Sequence, residues 1–327
     1  MYTKECQIAV EVMRQAAQMT REVRSDRSNP SAIWKPDDSP VTIADFAVQA
    51  LVCRTLKAEF PEDAIVAEED AAHLRLPDLN NVLEEVTGRL LPYIPNADAN
   101  AVCDWVDLGN DVPAERFWVL DPVDGTRGFL RGDQYALALA LIVNGRIVLG
   151  VLACPALTLQ SNDPPGIICH AVRGKGTLVE TENSDPAVRL ELAESVESDR
   201  YRLLESVETD HNDRPRQEAI ARSLGMTQPP IRVDSQAKYA LLAAGMGALY
   251  LRLPQPEAVS RHEKIWDHAA GVLIVEEAGG RVTDLDGQPL DFSVGVELAA
   301  NRGIVAGVTS AHAEAIRALS INGNRPD

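Results

Sequence analysis

Positive charge is what this sequence is short of. Its 327 residues carry 31 lysines and arginines against 49 aspartates and glutamates, a formal charge of −18. A field of that sign repels nucleic acid and anionic membrane surfaces, and no Lys/Arg run offsets it locally. A phosphate-bearing ligand has to be drawn in by cations gathered at one place. Cysteine is scarce too: Cys6, Cys53, Cys103, Cys154 and Cys169 are odd in number, widely spaced and never arranged as CxxC. That pattern argues against a disulfide framework or a zinc site and for a reducing compartment. The opening "MYTKECQIAVEVMRQ" holds Glu5 and Glu11 and no apolar h-region, so no secretory signal is expected. The longest uncharged run of the apolar middle, Gln134 to Gly145, is too short to span a bilayer as a helix. Cytoplasm is the expected location. His262-Glu263 lacks the second histidine of a zincin, Gly174-Lys175-Gly176 is too short for a Walker A loop and reads as a turn, and no Ser–His–acid set has local support.

What is present is ample apolar material, 45% of residues, enough for one large domain or two moderate ones. Residues 4–24 repeat Ile8, Val12, Ala16, Met19 and Val23 at helical spacing, and a second helix is predicted from Asp45 to Glu59. The short strand "DAIVAEED" would deliver Glu68, Glu69 and Asp70 at its end. Residues 73–115, polar and broken by prolines, read as one helix and a long loop. From Phe117 strands take over, with Asn144-Gly145 marking a two-residue hairpin and "GIICHAV" and "TLVE" continuing an antiparallel sheet. The polar segment 181–189 suggests a boundary, dividing the chain into 1–185 and 186–327. After it strands and helices alternate, as in a layered α/β half.

The chemistry concentrates in "WVLDPVDGT". A strand-like run ends on Asp121 and Asp124, three apart, with Pro122 stiffening the backbone so that both carboxylates and the Val123 carbonyl could face one point. Oxygen-only ligands of this kind suit Mg²⁺ rather than zinc. Gly125 permits close backbone approach, and the N–H groups of Gly125 and Thr126 offer a phosphate seat. From these six residues alone a surface turn explains the pattern equally well. Glu68, at a second strand end, and Asp267, at the start of the apolar helix "WDHAAGVLIVEEAG", tip the balance toward a site. Glu68, Asp121, Asp124 and Asp267 together carry four negative charges, which two divalent ions cancel and a third overturns in favour of phosphate. The residues therefore point to metal-assisted phosphoester hydrolysis. Thr126 needs a carboxylate to polarise it before it can help a water attack; Asp45 is the candidate, although by spacing alone it reads as a helix N-cap. Trp266 and His268 read as packing and capping residues.

"DPVDGTRGFLRG" resembles the lithium-sensitive, magnesium-dependent inositol monophosphatase superfamily, and its continuation "DQYALALALIVNGRIVLGVL" is similar to the bisphosphate nucleotidase branch. "SPVTIADFAVQALV", "VAEED", "DSQAKYALLAAGMGALYLRLP" and "EKIWDHAAGVLIVEEAGG" extend the likeness over most of the chain in family order. The resemblance implies a layered α/β/α/β/α sandwich, with an α+β N-terminal part, an α/β C-terminal part and the active site between them. It implies two or three Mg²⁺ ions: one on Glu68, Asp121 and the Val123 carbonyl, one on Asp121, Asp124 and Asp267, and a weaker third near Glu68. It gives Asp45 and Thr126 the water-activating role, against the N-cap reading. His211, Ser235, Lys238 and Arg252 would hold a small nucleotide bisphosphate, 3′-phosphoadenosine 5′-phosphate or its sulfated precursor. Without the family, Lys238 reads as a solvated helix residue and Arg252 as a strand-end surface charge. Two departures accompany the matches: Ala67 replaces a common glycine, and "HNDRPRQ" from His211 lacks the serines the family tends to place there. The alternatives are an inositol or sugar phosphatase of the same fold and a silent nucleotide sensor. No nucleic-acid or membrane partner is expected, and the chain is expected to act as a monomer, with a dimer as the alternative.

Overall fold

The computed structural model describes residues 1–26, 32–35, 39–160, 163–181, 184–193, 201–208, 213–255 and 262–323. Apolar spacing places the first two helices well: α1 (Thr3–Ser25) and α2 (Ile43–Glu59). A two-stranded ribbon, β1 (Ile33–Trp34) and β2 (Pro40–Val41), lies between them in sequence. α2 is buried along most of its length because α1 packs against it on one side and α3 (Asn80–Leu90) and α4 (Ala99–Asp107) on another. Residues 73–115 thus hold two helices and a 3-10 turn, Pro77–Leu79, rather than one helix and a loop. Asp98 starts α4 by accepting the N–H groups of Asn100 and Ala101 at 3.0 Å. Only Val86 and Leu90 of α3 are buried, so a helical period is faint there.

The large sheet runs β3 (Ala64–Ala67), β4 (Arg116–Asp124), β5 (Ala136–Val143), β6 (Arg146–Cys154), β7 (Ile167–Val172), β8 (Thr177–Thr181) and β9 (Ser184–Leu190), in that spatial order, with a short helix, α5 (Thr126–Arg131), between β4 and β5 in sequence. Every neighbour pair is antiparallel except β3 with β4. Asn144 and Gly145 both take positive φ, 50° and 70°, as a tight hairpin requires. The alternation in "ALALALIV" sets the layering: Leu137, Leu139 and Leu141 pack with α1 and α2, while Ala136, Ala138 and Ala140 face the opposite core. The polar segment expected as a boundary carries β9, so a division at 185/186 would cut a strand of this sheet.

The second sheet has the order β11-β10-β12-β14-β13, built from β10 (Leu203–Glu205), β11 (Ile231–Arg232), β12 (Leu249–Arg252), β13 (Arg281–Thr283) and β14 (Ile304–Gly307). α6 (Arg214–Ser223) and α9 (Thr309–Gly323) cover its outer face. α7 (Ala237–Ala243) and α8 (Ala269–Glu277) lie between the two sheets and share one core with both. This is the α/β/α/β/α order the resemblance implies. No helix among the described residues is long and apolar enough to cross a membrane.

The shared helical layer is closely packed. A Cβ on Gly150 would lie 2.8 Å from the Ala270 carbonyl oxygen, and one on Gly271 would lie 2.1 Å from Cδ2 of the buried Tyr239. Gly271→Ala should therefore cost about 1–3 kcal/mol by overpacking, seen as a lower urea midpoint at unchanged slope. An unchanged midpoint would mean that α7 and α8 do not approach so closely.

Candidate active site

β4 ends in a bulge. Asp121 pairs with Ala138 and Asp124 with Ala136, so three steps on β4 match two on β5. In an unbroken strand residues three apart face opposite sides; the extra residue returns Asp124 to the side of Asp121. Both carboxylates consequently face the α7–α8 layer across from alanines, whose small side chains leave room. Glu68 follows β3, its N–H donating to the Leu120 carbonyl at 3.2 Å. Asp267 comes from the other side, in a 3-10 turn, Ile265–Asp267, that precedes α8 rather than in the helix itself.

These acids share one electrostatic field. Burial pushes the Asp121 carboxyl well above the usual range, and Glu68, Asp124, Asp267 and Asp45 push it further. Asp267 is raised by burial and then by Asp124 and Glu68. Burial takes Asp124 up to about 6 against the pull of Lys238 and of the Gln236 N–H. Oδ1 of Asp121 is buried without a hydrogen-bond partner. A buried carboxylate oxygen with no donor, among other carboxylates, calls for a cation. The donors are oxygens only, so the residues fit a hard divalent ion.

Asp45 is not the N-cap of α2. Thr42 holds that position, and Asp45 closes the capping box: its Oδ2 accepts from the Thr42 N–H at 2.8 Å and from Thr42 Oγ1 at 2.7 Å. Oδ1 remains toward Thr126, whose Oγ1 lies 3.5 Å away and also 3.0 Å from the Val123 carbonyl. Burial raises Asp45 to about 7 even though Thr42 pulls it down. The Val123 side chain itself packs into the α1–α2 core.

A cavity of about 290 Å³ opens beside the acids. Glu68, Asp124, Gly125, Thr126 and Asp267 line one part of it, and Ser235, Lys238 and Arg252 another. Gly125 has φ +85°, and a Cβ there would lie 3.0 Å from the Cβ of Ser235. Ser235 itself has φ +64°, a strained angle for a serine. Lys238 is neither solvated nor exposed: it is buried, donates to the Val233 carbonyl at 3.2 Å and sits 5.5 Å above the Tyr250 ring. Burial lowers it to about 8, with Asp124 opposing. Arg252 is likewise not a surface charge; its Nε donates to Glu263 at 2.9 Å with 18% of its side chain exposed. His211 lies outside the described residues.

Several neighbours escape a sequence reading. Gln236 ties the turn before α7 to α8: its N–H donates to Asp124 Oδ2 at 2.6 Å, its Nε2 to the Trp266 carbonyl at 2.9 Å, and its Oε1 accepts from the Gly271 N–H at 3.2 Å. His268 does not cap α8 with its ring; it bonds Tyr239 at 2.9 Å and Glu263 at 3.3 Å. Lys35 pairs with Glu69 at 2.6 Å and stands 3.6 Å from Glu68. Of the acidic trio, Glu69 is thus held by Lys35, while Asp70 is exposed and accepts from the Ala72 N–H at 2.7 Å. Ala67, in the place of a glycine, lies against Gly109, where a Cβ would come within 2.7 Å of the alanine methyl.

The family model described as "Inositol monophosphatase family" matches residues 2–321. The chain belongs to the inositol monophosphatase family. It is 41% identical to a 3′(2′),5′-bisphosphate nucleotidase of Oryza sativa, covering 93% of this chain and 90% of that protein. It is 40% identical to the protein of the same name in Schizosaccharomyces pombe, over 93% and 92% of the two chains. Among solved family structures, an inositol monophosphatase of Thermotoga maritima superimposes with a TM-score of 0.67 at 20% identity, covering 98% of each chain. CysQ from Bacteroides thetaiotaomicron gives a TM-score of 0.58 at 18% identity, covering 94% and 98%. The two structures share the family's fold with this chain.

Without added metal the raised carboxyls give stability a definite pH dependence. Unfolded carboxyls titrate near 4, whereas Asp124 and Asp45 hold protons to about 6 and 7 when folded. The folded state binds more protons in that window, so stability is greatest below it and falls as pH rises from about 4 to about 7. Asp121→Asn should raise the melting temperature of the chelated protein at pH 7.5 by removing one of the repelling charges. A variant that melts lower than wild type would show that the carboxylates do not repel one another.

Proposed function

We propose that the chain is a Mg²⁺-dependent phosphomonoester hydrolase that removes the 3′-phosphate of 3′-phosphoadenosine 5′-phosphate, leaving AMP and phosphate, with the 5′-phosphosulfate analogue as a second substrate. The observation that carries this reading is one cavity lined by the half-buried acids Glu68, Asp124 and Asp267 together with the buried Lys238 and the half-buried Arg252. The curated relatives named as bisphosphate nucleotidases support the substrate class.

Glu68, Asp121 and the Val123 carbonyl would hold one ion, Asp121, Asp124 and Asp267 a second, and Glu68 would contribute to a third. Bound there, Mg²⁺ supplies a more acidic water and neutralises charge on the reacting phosphate and leaving oxygen. The chain's own residues do the rest. The single proton of Thr126 Oγ1 has two acceptors, the Val123 carbonyl at 3.0 Å and Asp45 at 3.5 Å. With the Val123 carbonyl engaged as a metal ligand, Thr126 Oγ1 would donate its proton to Asp45 Oδ1 and accept one from the attacking water. Asp45 is kept in place by the capping box and can take that proton because burial has already raised its proton affinity. Lys238 and Arg252 neutralise the phosphate that is not cleaved, Ser235 donates to it or to the sugar, and the Gly125 and Thr126 N–H groups receive the scissile phosphate. His211 would contact the nucleotide, and we propose cytoplasm as the compartment.

Phosphate release from 3′-phosphoadenosine 5′-phosphate, AMP and inositol 1-phosphate, with Mg²⁺, with chelator and with Li⁺, tests the reading. The bisphosphate is expected to be turned over fastest, only with Mg²⁺, with inhibition by Li⁺. Equal or faster turnover of inositol 1-phosphate would reassign the chain to inositol phosphate hydrolysis. Asp45→Asn and Thr126→Ala should each lower kcat by about 10²–10⁴-fold, while the rise in melting temperature on adding Mg²⁺ persists; in Asp121→Asn that rise should disappear.

A further inference from the structure

Arg252 stands at the end of β12, with a field of acids beside it. Among the described residues its one hydrogen-bonding partner is Glu263, reached through Nε at 2.9 Å, so both terminal nitrogens are left for a ligand. Asp267 lies near enough to act on it electrostatically: each stabilises the charged form of the other. Untethered, a guanidinium on a flexible stem would move onto that carboxylate, which would cost the cavity a cation and the acid cluster a ligand.

Glu263 prevents this, and its own place is fixed. Its carbonyl accepts the Leu298 N–H at 2.8 Å, and the next residue, Lys264, bridges Glu297. Its second carboxylate oxygen faces His268 Nε2 at 3.3 Å. A carboxylate at that nitrogen selects the Nε2–H tautomer, which makes Nδ1 the acceptor for the Tyr239 hydroxyl at 2.9 Å. The ring of Tyr239 meets Tyr250 edge-on at 5.4 Å, and Lys238 lies over the Tyr250 face. Tyr239 thus donates to His268, and His268 and Arg252 both donate to Glu263, all in a buried setting where such bonds hold orientation firmly.

We propose that Glu263 is a positioning residue: it aims the free edge of Arg252 at the phosphate that the reaction leaves in place, and thereby sets the preference for a 3′,5′-bisphosphate over a 3′-monophosphate. The inference rests on the reading of the cavity as a bisphosphate site. In this scheme Glu263 acts on the substrate through Arg252; its carboxylate also lies within 4.8 Å of an oxygen of Asp267, and an effect passing that way would appear as a loss on both substrates.

The test compares 3′-phosphoadenosine 5′-phosphate with 3′-AMP, which lacks the second phosphate. Glu263→Gln should raise KM for the bisphosphate about 10- to 100-fold, the worth of a charge-assisted hydrogen bond, with kcat within about threefold and both constants for 3′-AMP unchanged. Arg252→Ala should raise KM for the bisphosphate at least as far, and the double variant should be no worse than Arg252→Ala alone. Additive losses, or equal losses on both substrates, would overturn the proposal and leave Glu263 a structural residue. Glu263→Asp, which keeps the charge, should recover part of the preference and serves if the glutamine variant does not fold. A wild-type protein with no preference between the two substrates would instead remove the bisphosphate reading itself.

Discussion

Mutual repulsion among buried carboxylates is the constraint on which the rest of this structure depends. Asp121, Asp124, Asp267, Glu68 and Asp45 share a region that burial has made poor in dielectric screening, and burial, with neighbouring carboxylates adding to it, raises Asp121, Asp267 and Asp45. Nothing in the acids themselves holds them together. The polypeptide imposes the gathering: two parallel strand ends bring Glu68 beside Asp121, a bulge rotates Asp124 to the same face, and a turn from the second half of the chain delivers Asp267. Folding therefore stores electrostatic work in the acid cluster, which a hard cation held by its oxygen donors would relieve.

The same constraint governs the cations. Lys238 and Arg252 would be drawn into the acids if they were free to move, and both are restrained, the first by the Val233 carbonyl and the Tyr250 face, the second by Glu263. Lys35 is the exception: it stands against Glu69 and within 3.6 Å of Glu68. The result is a cavity lined by acids and restrained cations together, which would suit an ester carrying two phosphates once ions covered the acids. For a strongly anionic chain to accept an anionic ligand, a few cations restrained at one place are what electrostatics requires.

How much of this was readable in the sequence depends on range. The α1 and α2 periods, the Asn144-Gly145 hairpin and the Asp-Pro-Val-Asp-Gly-Thr strand end are local signals, and each corresponds to what the chain forms. Asp45 shows the limit of such signals: spacing identifies a helix start but not whether the acid stands at the cap or three residues on, nor that its second oxygen reaches Thr126. Of the two helices within 73–115 only one was expected, because α3 buries just Val86 and Leu90, and β9 was hidden because it is an edge strand rich in polar residues. Lys238 and Arg252 look like surface charges in isolation; only their neighbours make them buried. Glu263, Gln236 and Tyr239 carry no signal, since their partners lie on other elements and their bonds form only when the two sheets close on α7 and α8.

Asp124 links these themes. One of its oxygens accepts the Gln236 N–H at 2.6 Å, just after Ser235, whose φ of +64° is costly for a residue with a Cβ. That strain persists because the surrounding contacts leave no alternative: Gly125 has no side chain to oppose Ser235, and Gln236 is bonded on three sides. The carboxylate expected to take a metal ion is thus the same group that holds the substrate-facing turn in shape. Anything that reorients Asp124 must also move Ser235 and, three residues on, Lys238. Because Asp124 spans both networks, a cation bound among the acids would also bear on the turn that carries Ser235 and Lys238.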